Sequence, residues 1–300
     1  MSANSSIYSV YVEAARPRTL PAAVAPVLVG TAAAATPLGE LSVIRGGLAL
    51  VVALSLQVAV NYANDYFDGV AGVDTDARIG PRRVVASGLV TPRRMRLATI
   101  VALAVAGATG MSLVVLVGWE LLLVGVAAIY ATLGYSGGPK PYASAGFGEV
   151  MVFVFFGLVA TVGSAYVQDE AVTAVSVLAS LPIGALATAL LVVNNLRDIP
   201  TDRDVGKATL AVRLGEAGTR RLYVALVVGA LLALVPLVLV TGEGWLLLPS
   251  LSLVKLWKGV ELVRHAPIGP RLIEALGHTA QGQLLFAVLL TVALLSVGGI

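Results

Sequence analysis

Long runs of apolar residues recur along the chain and constrain its fold more than any other feature. Nine such runs can be distinguished, near residues 20–36, 42–63, 97–118, 120–135, 148–167, 171–196, 221–241, 245–257 and 281–300. About 20 apolar residues in a helix match the thickness of the hydrocarbon core of a bilayer. We therefore predict an all-α polytopic membrane protein with about nine transmembrane helices around a central cavity.

The composition supports this fold class and excludes several others. Hydrophobic residues make up 58% of the 300 residues and charged residues only 12%, roughly half the charged fraction of an average soluble domain. So much apolar surface excludes a soluble globular domain and a disordered chain. The absence of Cys from the sequence excludes a disulfide scaffold.

Basic residues are concentrated in alternate loops between the apolar runs. Three clusters, Arg78 to Arg96, Arg197 to Arg221 and Lys255 to Arg271, hold most of them. With the N-terminus in the cytoplasm, 19 of the 20 Lys and Arg residues fall on the cytoplasmic side, and Arg45 is the exception. This distribution obeys the positive-inside rule. It predicts an integral protein of the cytoplasmic membrane whose N-terminus and active-site mouth face the cytoplasm, and it gives no indication of nucleic-acid binding.

A similar set of polar residues follows the second and the sixth apolar runs. The set is Asn64, Asp65 and Asp68 in the first case and Asn195, Asp198 and Asp202 in the second. Further matches downstream, such as Gly88 with Gly215, favour an internal duplication. We predict one membrane-embedded domain over residues 1–300, with repeats at about 20–135 and 148–260 and a ninth helix at 281–300.

Both polar segments place acidic side chains on one face of a membrane helix, near its inner end. Gln57, Asn61, Asn64 or Asp65, and Asp68 recur at helical spacing, as do the three polar residues after the sixth run. An acidic residue at bilayer depth costs about 2.5–3.5 kcal/mol on insertion scales, so such a face should border a cavity. Carboxylates and amides are ligands that Mg²⁺ accepts, usually together with water and substrate phosphates.

The cations near these acids are candidate phosphate ligands. They are Arg78, Arg82, Arg83, Lys140, Arg197, Lys207 and Arg213. Simple ion pairs between the same groups are the alternative, and Asp74, Asp76 and Asp204 fit a solvated loop equally well. Lys140 lies in a loop rich in Gly and Pro, where a role at the site is also open. Two His and no Cys make a zinc site improbable.

Four segments resemble the UbiA superfamily of intramembrane prenyltransferases, and most closely its branch that prenylates 1,4-dihydroxy-2-naphthoate in menaquinone biosynthesis. They read ARPRTLPAAVAPVLVG from Ala15, ANDYFDGVAGVDTDARIGP from Ala63, GGPKPYASAGFGEVMVFVFFG from Gly137 and NNLRDIPTDRDVGKATLAVRLG from Asn194. The third Asp of the commonest first motif would fall at Gly72, whereas here Asp74 follows at the longer spacing of this branch. That spacing leaves open whether Asp74 or Asp76 is the metal ligand. The segment that contains Arg82 and Arg83 matches the pattern of the family only loosely.

The resemblance implies a Mg²⁺-dependent transfer of a polyprenyl group from polyprenyl diphosphate to 1,4-dihydroxy-2-naphthoate, with decarboxylation to demethylmenaquinone. It implies catalytic roles for Asp65, Asp68, Asp198 and Asp202, which with Asp74 would hold two Mg²⁺ ions. It implies diphosphate binding by Lys140, Lys207, Arg213 and Arg78. Asn61, Asn64, Tyr66 and Asn195 would orient the acceptor or support the ligands.

Three other functions remain as alternatives. A prenyltransferase of the same kind could use 4-hydroxybenzoate or homogentisate as acceptor. Asp65, Asp68 and Gly69 match the opening of the CDP-alcohol phosphotransferase motif, but Gly72 and Val73 stand where that motif continues with Ala-Arg. An ion-coupled transporter should carry its acids near the bilayer midplane, whereas here both acidic sets lie at the inner ends of apolar runs.

Overall fold

The computed structural model of the protein describes residues 7–34, 40–73, 80 and 82–296, and regular secondary structure within these ranges is helical throughout. The α-helices in chain order are α1 (Ile7–Ala15), α2 (Pro21–Ala32), α3 (Val43–Ala71), α4 (Pro92–Leu116), α5 (Glu120–Gly134), α6 (Gly148–Val152), α7 (Ala160–Asp169), α8 (Ala174–Asp204), α9 (Leu210–Leu232), α10 (Leu234–Thr241), α11 (Leu253–His265) and α12 (Arg271–Ser296). A π-helix, Phe153–Val159, joins α6 to α7, and 3₁₀-helices cover Pro17–Thr19 and Gly244–Ser252.

Six helical segments of the described residues are long and apolar enough to cross a membrane. They are Val43–Ala71, Pro92–Leu116, Gly148–Asp169, Ala174–Asp204, Leu210–Thr241 and Arg271–Ser296. The first and fourth predicted spans correspond to the shorter apolar helices α2 and α5. At 1.5 Å per residue, these reach only about 18 and 22 Å, less than the roughly 30 Å hydrocarbon core. The helical membrane fold is thus confirmed, with six candidate spans where the sequence predicts nine.

The eighth predicted span, near residues 245–257, does not form one continuous α-helix. Its first part is the 3₁₀-helix Gly244–Ser252, which contains Pro249, and α11 follows directly. Proline lacks the backbone N–H that an α-helix interior requires, so the apolar run cannot continue as one regular helix through this point. The positively charged Lys255 and Lys258 lie exposed on α11.

Short polar signals in the sequence fix the ends of the long helices. The side chains of Ser42, Thr91 and Thr173 accept hydrogen bonds from backbone N–H groups in the first turns of α3, α4 and α8. At the other end of α3, Gly72 adopts a left-handed conformation with φ of 67°, which glycine accommodates without the Cβ strain of other residues. These caps set where each apolar helix begins and where the polar loops emerge.

Helix α8 is the most buried of the long helices. In its most apolar stretch 78% of the residues are buried, compared with 17% in α3 and in α4. It packs against α9, α12 and the π-helix. A helix that is apolar on all sides is expected in such a position, whereas the exposed apolar side chains of α3 and α4 are suited to contact with lipid.

Glycine allows two pairs of helices to cross at short range. A methyl group on Gly157 of the π-helix would lie 2.5 Å from Cα of Gly184 in α8. In the same way a methyl group on Gly30 of α2 would collide with the Thr161 backbone and Ser164 of α7. Small residues permit such close approach of membrane helices. These crossings position α2, α7 and α8 around the cavities described below.

We expect Gly157→Ala to lower the melting temperature of the detergent-solubilised protein, because the methyl group must push the π-helix away from α8. Overpacking of this kind typically costs about 1–3 kcal/mol. Gly229→Ala in α9 is the matched control, since no described atom lies within 4 Å of the added methyl group and Ala is the better helix former. Equal melting temperatures for the two variants would contradict the close crossing.

Candidate active site

The polar ends of α3 and α8 meet at one end of the helix bundle and enclose a small cavity of about 70 Å³. The polar residues that line this polar cavity are Arg16, Asn64, Asp68, Arg83, Tyr135, Ser136, Ser144, Asn194, Asn195, Asp198, Thr201, Asp202, Lys207 and Thr209. A larger apolar cavity of about 280 Å³ adjoins it. Four residues border both: Arg16, Asn64, Tyr135 and Asn194.

Helix geometry separates the two acids of the first polar segment. Asn64 and Asp68 are four residues apart, lie on one face of α3 and line the polar cavity. Asp65 is rotated about 100° from Asn64 and faces the loop after α3, where its oxygens accept hydrogen bonds from the backbone N–H groups of Val84 (3.2 Å) and Val85 (2.9 Å). Its side chain is buried. The structure therefore uses Asp65 to anchor this loop, which differs from the ligand position expected from the sequence.

Tyr66 lies on the same side of α3 as that loop. Its ring packs against a buried apolar cluster that includes Val84, Val85 and Met95, and it makes an edge contact with Phe67. The acceptor-binding role expected for Tyr66 therefore has no support from its position, because the ring faces this cluster and the two cavities lie on another face of the helix.

Two cations from different loops converge on the carboxylate of Asp68. Its Oδ2 lies 3.3 Å from a guanidinium nitrogen of Arg83 and 3.0 Å from Nζ of Lys207. The Arg83 guanidinium also donates to Oδ1 of Asn64 at 3.0 Å. Both ion pairs are largely buried, where electrostatic interactions are less screened than at a surface. Lys207, an expected diphosphate ligand, thus lines the polar cavity, as does Arg83, whose role the sequence left open.

The second acidic set belongs to the last turns of α8. Asp198 accepts two hydrogen bonds from its neighbour Arg197, at 2.7 and 2.8 Å. Asp202, one turn further on, accepts a hydrogen bond from Thr209 at 3.5 Å, and its backbone oxygen accepts one from the N–H of Lys207 at 2.8 Å. Both carboxylates line the polar cavity, opposite the Asn64 and Asp68 face of α3. The structure thus brings the two predicted acidic sets together.

Two of the expected diphosphate ligands lie outside the polar cavity. Lys140 is exposed. The Arg213 guanidinium donates to the backbone oxygens of Ala208 and Ala145, both at 2.9 Å, so it ties the loop after α8 to the loop after α5. Its role in the structure is that of a link between loops.

Three residues considered in the sequence, Asp74, Asp76 and Arg78, lie outside the described residues. The choice between Asp74 and Asp76 as a ligand therefore stays a prediction, as does the phosphate-binding role of Arg78.

Arg16 is a site residue that the sequence suggested only as a signal of membrane orientation. Its backbone is left-handed, with φ of 53°, a conformation that costs non-glycine residues on the order of 1–3 kcal/mol and clusters at functional sites. Asn61 donates to Ala15 O (2.9 Å) and Thr19 Oγ1 (3.2 Å), and Gln57 donates to Thr19 Oγ1 (3.1 Å). These amides of α3 hold the turn that places Arg16 where the two cavities meet.

Glu149 is a second residue that sequence reasoning missed. It is 4% exposed, and its Oε1 accepts a hydrogen bond from Nδ2 of Asn195 at 2.9 Å. Its Oε2 has no hydrogen-bond partner among the described residues. Because a carboxylate only accepts hydrogen bonds, this contact holds Nδ2 of Asn195 toward Glu149 and leaves Oδ1 on the opposite side of the amide. Glu149 thereby fixes the orientation of an amide that lines the polar cavity. The sequence signal for Glu149 was its place at the start of an apolar run, because an acidic residue at membrane depth usually has a function.

Tyr142 and Tyr135 form the aromatic edge of the site. Their rings meet edge to face with centroids 5.6 Å apart, and the Tyr142 hydroxyl donates to Ala131 O at 2.8 Å. Burial raises the pKa of Tyr142 above its ordinary value, so the phenol stays protonated and uncharged at neutral pH. Both rings line the apolar cavity.

The ligand set of the polar cavity fits Mg²⁺ bound together with a phosphorylated ligand. Within the described ranges, no three His, Cys, Asp or Glu side chains converge to hold a metal ion by themselves. Mg²⁺ is usually bound through one or two carboxylates plus waters and substrate phosphates. Asp68, Asp198 and Asp202, with the neighbouring Asn64 amide, offer oxygen ligands of that kind.

We expect Asp65→Ala to destabilise the protein, because two buried backbone N–H groups of the loop after α3 lose their acceptor. Each unsatisfied buried group costs about 1–3 kcal/mol. The change is measured as the melting temperature in detergent, with Asp204→Ala, an exposed acid in the last turn of α8, as the control. An unchanged melting temperature for Asp65→Ala would show that the anchor is not needed.

Comparison with known proteins identifies the family. The sequence profile of the UbiA prenyltransferase family matches residues 23–276. The chain is 42% identical over 293 residues to 1,4-dihydroxy-2-naphthoate octaprenyltransferase of Mycobacterium leprae, covering 98% of each chain. Its fold is similar to that of a UbiA homologue from Aeropyrum pernix (TM-score 0.68, 17% identity, 96% and 99% of the chains). A UbiA homologue from Archaeoglobus fulgidus bound to GPP and Mg²⁺ is also similar (TM-score 0.65, 17% identity, 95% and 99%). The chain therefore belongs to the UbiA prenyltransferase family.

Proposed function

We propose that this protein transfers a polyprenyl group from a polyprenyl diphosphate to 1,4-dihydroxy-2-naphthoate, with loss of CO₂, and so forms demethylmenaquinol, the reduced form of demethylmenaquinone. The observation that carries the proposal is the junction of a polar cavity, lined by acids and cations, with an apolar cavity of about 280 Å³. A prenyl diphosphate has the same division into a charged head and an apolar tail. The name of the Mycobacterium leprae relative supports this acceptor, and the GPP and Mg²⁺ bound to the Archaeoglobus fulgidus homologue support this donor.

The donor diphosphate would lie in the polar cavity between α3 and α8. We assign one Mg²⁺ to Asp68 and Asn64, together with Asp74 from the first segment, and a second to Asp198 and Asp202. When bound, these ions neutralise charge on the diphosphate as it leaves. Arg83 and Lys207 contact Asp68, so they would be within reach of a diphosphate bound beside that carboxylate.

Asp65 would serve the donor site through the loop that it anchors. The backbone groups of Val84 and Val85 that it binds directly follow Arg83. When these N–H groups are held, the backbone of Arg83 is fixed as well. From that position its guanidinium reaches Asn64 and Asp68. We therefore propose Asp65 as a positioning residue for Arg83 and no longer as a metal ligand.

The aromatic acceptor would lie where the two cavities meet, beside the reactive carbon of the donor. Arg16 is the basic residue that borders both cavities, and a guanidinium binds carboxylate well. The Asn64 and Asn194 amides border both cavities as well and can bind the ring hydroxyl groups. The ring carbon that bears the carboxyl group forms the new C–C bond as the prenyl C–O bond breaks. The electrons of that C–O bond leave with the diphosphate. The carboxylate leaves the same ring carbon as CO₂, and the electrons of its bond return to the ring and restore the aromatic 1,4-diol.

The polar cavity would face the cytoplasm. The chain segments that follow α3 and α8 carry two of the three basic clusters, and cytoplasmic loops are enriched in such residues. A charged diphosphate could then reach Asp68 and Asp198 from water while its tail stays in an apolar environment. In this orientation neither substrate has to cross the membrane, which distinguishes the proposed reaction from the activity of a transporter.

We expect the purified protein with Mg²⁺, a polyprenyl diphosphate and 1,4-dihydroxy-2-naphthoate to release CO₂ and form demethylmenaquinol, detected by mass spectrometry as the quinol or, after oxidation in air, as demethylmenaquinone. Asp68→Ala and Asp198→Ala should each lower turnover by about 100-fold or more, since the loss of one group that supports charge stabilisation in the transition state typically lowers kcat by that factor. Asp204→Ala, outside both cavities, is the control. Turnover retained in the two cavity variants would overturn the assignment of the donor site. A higher kcat/KM with 4-hydroxybenzoate or homogentisate would overturn the assignment of the acceptor.

We expect Arg16→Gln to raise KM for the acceptor by about 10-fold or more while KM for the donor changes little, because the lost contact is a charge-assisted hydrogen bond worth about 1.5–3 kcal/mol. Arg18→Gln is the matched control, since Arg18 lies exposed in the same turn. Steady-state kinetics with each substrate varied in turn give the two KM values. An equal rise in both would mean that Arg16 acts on the site as a whole and does not select the acceptor.

A further inference from the structure

Helix α1 packs on the loop that carries Arg83. One apolar cluster joins the inner side of the helix to this loop and to the start of α4, and its buried members are Val10, Ala14, Val84, Val85, Val90 and Met95. Val84 and Val85 are also the residues whose backbone N–H groups bind Asp65. The loop is therefore held from two sides, by a carboxylate of α3 and by the apolar inner side of α1.

Polar contacts tie α1 to the same loop and to α3. The carboxylate of Glu13 accepts a hydrogen bond from the guanidinium of Arg82 at 2.9 Å. The hydroxyl of Tyr62 in α3 donates to the backbone oxygen of Tyr11 at 3.1 Å, and the two rings meet edge to face. The turn that carries Arg16 follows α1 directly. A displacement of α1 would thus disturb both the Arg83 loop and the Arg16 turn.

The outer side of α1 is apolar as well. Tyr8, Val12 and Ala15 recur at i, i+4 and i+7 and share this side of the helix. Tyr8 is 76% exposed and Val12 39% exposed. Ser9 and Glu13, four residues apart, form a polar edge between the inner and outer sides. A short helix with an exposed apolar side and a polar edge is suited to the interface between a membrane and water.

The exposed residues of α4 indicate where the membrane surface lies relative to α1. The first turns of α4 expose Arg93, Arg94 and Arg96. The exposed residues that follow are apolar, beginning with Leu97 and Ile100. Such a change marks the boundary between lipid headgroups and hydrocarbon. Met95, which lies among these arginines, is buried in the cluster with α1, so α1 lies at the level of this boundary.

The charge near α1 is complementary to anionic lipid. The three arginines of α4 flank Met95, and Arg18 is exposed in the turn after α1. Each basic residue close to an anionic membrane surface contributes about 1 kcal/mol to its attraction. Cations that can bind headgroups, next to an apolar side with an exposed tyrosine, point to an anionic phospholipid surface as the partner of α1.

We propose that α1 binds the surface of an anionic bilayer through Tyr8 and Val12, and that this contact holds the Arg83 loop in position at the polar cavity. The loop would then be clamped between Asp65 on one side and a lipid-bound helix on the other. The catalytic importance of this clamp rests on the proposed function, in which Arg83 binds the diphosphate. The position of the loop can be measured without turnover, so the two proposals can fail separately.

The lipid contact can be tested by labelling, because the sequence contains no Cys. Tyr8→Cys and Val12→Cys are each labelled with an environment-sensitive fluorophore and reconstituted in nanodiscs of phosphatidylcholine and phosphatidylglycerol. Lipids brominated in their acyl chains should quench both labels strongly. Asp204→Cys, at an exposed polar position of α8, is the control and should be quenched weakly. Quenching at positions 8 and 12 no stronger than at 204, as expected if water or another protein covered α1, would overturn the proposal.

Hydrogen exchange of residues 84–90 in the same nanodiscs tests whether the lipid contact holds the loop. The N–H groups of Ser87 and Val90 bind backbone oxygens within the loop, so their exchange reports its opening. Val12→Glu places a charge on the lipid side and should raise this exchange rate by about 5-fold or more, as local opening becomes easier. Val12→Leu keeps the side apolar and is the matched control, with exchange as in the wild type. Exchange in the buried part of α8 should change in neither variant.

An unchanged exchange rate of the loop in Val12→Glu would overturn the proposal, because a charge on a side that faces water would have no effect. An equal rise in Val12→Leu would overturn it as well. Wild-type protein should show slower loop exchange with phosphatidylglycerol present than in phosphatidylcholine alone, and equal rates would overturn the assignment of anionic lipid. Failure of the proposed function would be recognised differently, as absence of turnover in wild-type protein whose loop is protected.

Discussion

Charge inside a bilayer is tolerated only where it is paired, and the pairing around Asp68 is the interaction on which the site depends. One carboxylate receives Arg83 from the loop after α3 and Lys207 from the loop after α8. An unpaired ion at that depth would be strongly disfavoured, so the two loops are drawn to the same point. The ion pairs thereby join the first and second polar segments, which are far apart in sequence. The charged groups of Arg83 and Lys207 line a cavity and are not enclosed by packed protein, so they are also available to a phosphorylated ligand.

The general fold and the meeting of the two acidic segments could be predicted from the sequence, since both follow from strong and local patterns. Apolar runs define helices by their length, and acids at the ends of two such runs must share a cavity. The number of spans could not be predicted in this way. Apolar runs of similar composition form helices of different length and burial: α2 is short and largely buried, whereas α5 is short and mostly exposed. Pro249 divides another run into two kinds of helix. The internal duplication stays a prediction.

Individual roles within the site depended on geometry that spacing alone does not express. Asn64 and Asp65 are adjacent in sequence, but only one of them can face the cavity, and the backbone N–H groups that occupy Asp65 come from residues about 20 positions later. Arg213 and Lys207 likewise belong to one short segment, yet their side chains reach different partners. Arg16 and Glu149 were missed for a related reason. Each lies at the edge of an apolar run, where a charged residue is ordinarily a boundary marker.

The link made by Arg213 has a consequence for the shape of the site. Its guanidinium holds the loops after α5 and α8 together through backbone oxygens, and a backbone hydrogen bond from Ala208 to Ser144 reinforces the link. These loops contribute Ser144 and Lys207 to the wall of the polar cavity. The tie restrains the distance between the two parts of the wall, so this side of the cavity is preorganised before a ligand binds.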